Sequence, residues 1–236
     1  MNFDDKFTFD KFYASDAYHY LCDLPDTHLR KITLVDTHNT GLMGYNIGLE
    51  FGRIYDCPVM LCNDDTVFAK NWFLDLNPDY FNSDTTIFRH DTKEPVVLDS
   101  KKIGVVAPCY VDPGCMKHQK YHPNIEDYTA VDFCVGHAQF ITKDAVRAGF
   151  TFDPKICEVF GPYDVYQSMW MQQHEFNILI AQECCFDFPN SKESHYHEGS
   201  KNFDFTAPWH VMDKRLMQEY QPKHIAKYGF NKWLFE

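Results

Sequence analysis

The chain has 236 residues, 44% of them hydrophobic and 17% aromatic, with 22 basic against 34 acidic side chains for a net charge of −12. This length and apolar content fit one folded domain with its own core and exclude a disordered or collagen-like chain. The acidic balance argues against a general binder of nucleic acid or anionic membrane, whose affinity comes from Lys and Arg. No apolar run approaches the ~18 residues of a membrane span.

In chain order, residues 1–30 are aromatic and acidic, with a helical stretch over 12–24. Lys31-Ile-Thr-Leu-Val-Asp36 reads as a strand, and 44–55 as a helix. Pro58-Val-Met-Leu-Cys62 reads as a short buried strand. A helical piece over 72–76 and a strand over 102–108 follow. Residues 109–130, rich in Pro, Tyr and His, read as a long loop. A strand over 132–141, a short helix over 143–148 closed by Gly149, a helix over 164–175 and a strand over 176–181 come next. Residues 209–228 read as a terminal helix interrupted near Pro222. Strands alternating with helices predict an α/β fold with a mostly parallel sheet, with ligands beyond the carboxyl ends of the strands. One domain is expected over 1–236, with 1–30 as its N-terminal segment and 205–236 as a helical tail. The N-terminus lacks the basic-then-apolar order of a secretory signal. The nine cysteines are scattered with no Cys-x-x-Cys spacing, which predicts reduced thiols and a cytoplasmic setting.

Asn63-Asp64-Asp65 ends an apolar strand in oxygen ligands of the kind hard divalent cations prefer; Asn and Asp are equally common turn formers. Asn39-Thr-Gly41-Leu-Met-Gly44-Tyr-Asn46-Ile-Gly48 leads into a helix and offers backbone N–H groups to a phosphate, or is a plain Gly-rich turn. No dinucleotide-binding or P-loop glycine pattern occurs. In Gly161-Pro162-Tyr163-Asp164 the carboxylate falls in the first turn of a helix, as a cap or as a general base. His195 and His197 share a face if extended, either as metal ligands or as unliganded loop residues.

The order of these segments resembles a nucleotide-sugar-dependent glycosyltransferase of the GT-A fold, closest to the family 2 type. The likeness runs from about Lys31 to Gly199 and includes Gly136-His-Ala-Gln-Phe-Ile-Thr-Lys143, Gly149-Phe-Thr-Phe-Asp153, Gly161–Asp164 and the late His-x-His. It implies a Rossmann-like, mostly parallel central sheet flanked by helices. It implies Mn²⁺ or Mg²⁺ on Asp65, with Asn63 and His197 (or His195) completing the shell. Asp36, Thr37, Asn39, Gly41 and Asp64 would contact the nucleotide, and Gly136 and His137 the donor sugar. Asp164 matches the family's base, although Tyr163 stands where members carry Glu. The implied reaction moves a sugar from a nucleoside-diphosphate sugar to a hydroxyl of a glycan or other acceptor, with inversion. The Cys- and aromatic-rich chain also looks like a viral or phage enzyme, acting in the host cytoplasm. The rival expectations are a phage-type enzyme acting on modified DNA bases, a non-catalytic nucleotide-sugar-binding module and a nucleotidyltransferase.

Overall fold

The computed structural model describes residues 42–62, 66–81, 85–90, 92–96, 99–110, 119, 121, 128–134, 136, 138–153 and 163–186. In chain order the elements are α1 (Leu42–Tyr55), β1 (Val59–Cys62), α2 (Trp72–Leu76), β2 (Ile87–Arg89), β3 (Pro95–Val96), β4 (Ile103–Tyr110), β5 (Tyr128–Val131), β6 (Ala138–Ile141), α3 (Lys143–Arg147), α4 (Tyr163–Gln173) and β7 (Asn177–Phe186). No helix among the described residues is long and apolar enough to cross a membrane. The expected elements over 12–24, 31–36 and 209–228 lie outside the described residues.

The strands form one sheet in the order β1-β6-β4-β7-β5-β2-β3. Only β4·β7 and β5·β2 are parallel pairs. The other four, β1·β6, β6·β4, β7·β5 and β2·β3, are antiparallel. The expected mostly parallel, Rossmann-like GT-A sheet is therefore wrong. The error has a physical source: Ala138–Ile141 inserts between β1 and β4 against the direction of both. Alternating apolar runs and helices reveal which strands are buried, not which way each one runs.

The central pair is buried end to end. All eight residues of β4 are inaccessible, and β7 is buried from Ile178 to Gln182. Strands covered on both faces read as continuous apolar runs, and Ile103–Tyr110 is one. On one face Leu49 of α1, Ala145 and Val146 of α3, and Met171 of α4 close over Val105, Ala107, Ile141, Ile178 and Ile180. On the other, Trp72 and Leu76 of α2 cover Val106, Tyr110, Phe140 and Leu179. Thr142 caps α3 through its hydroxyl, which accepts from the Ala145 amide. Gly52 lets α1 lie against β1, because a methyl there would strike Val59. A Cβ at Gly48 would meet the same valine at 3.6 Å, an ordinary contact, so the close approach requires glycine at 52 alone.

α2 is tied to β5 by the Tyr128 hydroxyl, which donates to the Asp75 carbonyl at 2.7 Å. Burial, reinforced by the like charge of Glu183, raises the pKa of the Asp75 carboxyl. A carboxyl raised in the fold contributes most below the unfolded value near 4, and that contribution is lost as pH rises through the folded value. Asp75→Asn should therefore raise the thermal unfolding midpoint at pH 7, with the gain vanishing near pH 3. Equal midpoints for parent and variant at both pH values would show that burying the Asp75 carboxyl beside Glu183 costs the fold nothing.

Candidate functional site

Val131 of β5 pairs with Ile178, Ile178 with Val105, and Val105 with Ile141 of β6. The last residues of β5 and β6 thus lie in one row, and the two strands run the same way with β7 and β4 between them. The chain must then return along the sheet between the end of β5 at Val131 and the start of β6 at Ala138. A helical crossover needs about a dozen residues; the described residues of this shorter connection, 132–134 and 136, carry no helix or strand and form a strap bonded by α4.

A buried strap exposes its backbone polar groups to desolvation unless something bonds them. α4 does so at both ends. The Gln172 amide donates to the Asp132 carbonyl, and the Tyr163 hydroxyl donates to the Gly136 carbonyl at 3.0 Å. Between them Cys134, fully buried, accepts from the Gln139 amide at 3.4 Å. Tyr163 is backed by Tyr45 and Phe152, with ring centroids at 5.8 and 6.0 Å. Burial, then the neighbouring Tyr45 and Asp164, push its hydroxyl well above the ordinary tyrosine value, so it stays a donor.

Because β6 opposes β1 and β4 while β7 follows β4, Cys62, Tyr110, Phe186 and Ala138 all come to one rim of the sheet. Tyr110 fixes that rim: its hydroxyl accepts from the Ala138 amide at 3.2 Å and lies 3.4 Å from the Ala138 carbonyl. Gly136 precedes β6 here, and Tyr163 brings the first turn of α4 against it. Asp164, half-buried, therefore stands at the rim beside the strap. Burial, opposed by the Gln139 amide and reinforced by the Asp164 carboxylate, pushes the Cys134 thiol up to about 12. Cys134 is thus a protonated packing residue, and the Asp164 carboxylate lies near enough for its charge to act on it.

Of the expected site residues, Gly136 and Asp164 are described, and Tyr163 joins their segments. Asp36, Thr37, Asn39, Gly41, Asn63, Asp64, Asp65, His137, His195 and His197 lie outside the described residues. Among the described residues no group of three or more His, Cys, Asp or Glu side chains could hold a metal ion. Asn46, read as part of a ligand loop, instead ties α1 to the segment after α3. Its amide donates to the Phe152 carbonyl at 2.8 Å, and its oxygen accepts from the Phe152 amide and the Thr151 hydroxyl, each at 2.9 Å.

Tyr163 and Tyr110 were not anticipated as organisers of the site. The one sequence cue was a glycine at 136, because any Cβ there would overlap the Tyr163 ring and come within 2.6 Å of its hydroxyl. Gly136→Ala should destabilise the fold by about 1–3 kcal/mol, as overpacking does, measured by denaturant unfolding. In a Tyr163→Ala background most of that loss should disappear; an undiminished loss would place its cause elsewhere.

The antiparallel placement of β6 removes the fold on which the likeness to family 2 GT-A glycosyltransferases depended. Comparison with known proteins supports neither that family nor a viral source: no protein-family model, no curated protein and no solved structure matches this chain.

Proposed function

We propose that the protein is a divalent-cation-dependent transferase that moves a sugar from a nucleoside-diphosphate sugar to an acceptor hydroxyl. The observation supporting it is the rim. Three strands end there, a fourth begins there, and Tyr163 docks the turn carrying Asp164 beside the strap. A helix-borne carboxylate held in this way has the rigidity a general base requires. Asp164 would accept the proton of the attacking hydroxyl, and one base opposite the leaving group gives inversion.

The cation would be Mn²⁺ or Mg²⁺, held by Asn63 and Asp65, which follow the last residue of β1 in the chain, with His197. Such an ion, when bound, neutralises the departing diphosphate. Asp36, Thr37, Asn39, Gly41 and Asp64 would meet the nucleotide, and Gly136 and His137 the sugar. None of the six described cysteines is joined in a disulfide, and the setting proposed with this chemistry is the reducing cytoplasm.

The test is calorimetric titration of nucleoside diphosphates and nucleotide sugars with and without Mn²⁺. Binding should require the cation and be lost in Asp65→Ala with the unfolding temperature unchanged. Failure of every nucleotide to bind in the presence of Mn²⁺ or Mg²⁺ would overturn the reading.

A further inference from the structure

From Val105 opposite Ile178, β4 and β7 pair in register to Pro108 opposite Ala181, and the next partners are Cys109 and Cys185. Three residues of β7, Gln182, Glu183 and Cys184, are looped out between them. Without that bulge Gln182 would face Cys109; with it, two thiols stand on adjacent strands. Both belong to the cluster on the α4 face, Cys109 fully buried and Cys185 partly so. Their thiols are near enough to interact. Backbones of neighbouring strands lie about 4.8 Å apart, inside the Cα separation of about 4.4–6.8 Å that a disulfide spans.

The bulge also holds the buried thiol, whose Sγ donates to the Gln182 carbonyl at 3.2 Å and lies 3.5 Å from that of Cys184. The other described cysteines are placed differently. Cys184 belongs to the cluster on the opposite face. Cys134 is bonded to Gln139 in the strap, and Cys57 and Cys62 lie at β1, separated from β4 by β6.

We infer that Cys109 and Cys185 are a redox-responsive dithiol that closes to a disulfide across β4 and β7 under peroxide. Cys185, the more accessible sulfur, attacks hydrogen peroxide as its thiolate; an S–O bond forms, the O–O bond breaks, and the released hydroxide is protonated to water. The Cys109 sulfur then attacks the resulting sulfenic acid, the S–S bond forms, and a second water leaves. Two thiols are oxidised by two electrons and one peroxide is reduced. The bond would replace the contacts of Cys109 with the bulge and staple the rim next to Tyr110. This assignment is independent of the proposed reaction.

The experiment treats reduced protein with a stoichiometric amount of hydrogen peroxide, blocks free thiols under denaturing conditions and maps peptides without reductant. A peptide linking Cys109 to Cys185, reversed by dithiothreitol, is expected. Oxidation should also raise the thermal midpoint by several degrees, since the bond closes a long loop. Cys185→Ser should abolish both effects, and Cys109→Ser should leave a sulfenic acid at Cys185 that dimedone traps. Linkage of either residue to another cysteine, over-oxidation of Cys185 in the parent, or no linked peptide would each overturn the inference. The partly exposed Cys185→Ser variant keeps the test decisive if Cys109→Ser fails to fold.

Discussion

Asp164→Asn is expected to lower turnover of a nucleoside-diphosphate sugar by roughly 10²–10⁴-fold, the scale on which a general base contributes. Asparagine keeps the size of the side chain but cannot take a proton. It leaves Tyr163, and with it the docking of α4 on Gly136, untouched. Donor affinity should change little, because a base faces the acceptor. Near-normal turnover would move the role to another carboxylate. A parallel loss of donor binding would make Asp164 a residue that positions the sugar.

The largest loss of stability is expected from Phe152→Ala, about 3–5 kcal/mol. Phe152 is fully buried, with ring centroids 5.0 Å from Phe150, 5.9 Å from Tyr45, 6.0 Å from Tyr163 and 6.4 Å from Tyr166. Its own amide and carbonyl are held by Asn46. With rings on several sides and a pinned backbone, the space left by the truncation cannot collapse. Phe152→Leu, which fills part of that space, should lose much less. Urea unfolding measures both, and a loss below about 1 kcal/mol for Phe152→Ala would show that α4 does not depend on this ring cluster.

Burial was legible in the sequence where it left an unbroken apolar run. Val59–Cys62 lies where its run predicts, and Ile103–Tyr110 does so up to Pro108 but continues two residues into the stretch read as a loop. β7 continues past the predicted end at 181 to Phe186, because Gln182 and Glu183 enter the bulge and break the apolar pattern. The short helix after Thr142 was legible through its length and its closing Gly149. Strand direction was not. β6 lies between β1 and β4, and no residue in Ala138–Ile141 encodes the choice between parallel and antiparallel. Tyr128–Val131 was hidden at the end of a Pro- and His-rich stretch, and Ile87–Arg89 and Pro95–Val96 are too short to show a period. At the candidate site, Asp164 was visible as a carboxylate in a helical first turn. The residue before it was read as a missing acid; the structure gives Tyr163 a different task, reaching across to the Gly136 carbonyl. That partnership joins positions far apart in the chain, and local pattern carries no trace of it.

The strap between β5 and β6 bears on the order in which the molecule assembles. It lies across the face onto which α4 packs, and α4 bonds it at Asp132 and at Gly136. The helix cannot reach its final place until the strap is laid, and the strap has no partners for those carbonyls until the helix arrives. The two must therefore form together, late, after β4 and β7 have met across more than half a hundred residues of chain. Amide hydrogens within the strap should then exchange in the same cooperative unit as those of α4, and more slowly than those of the short outer pair β2 and β3.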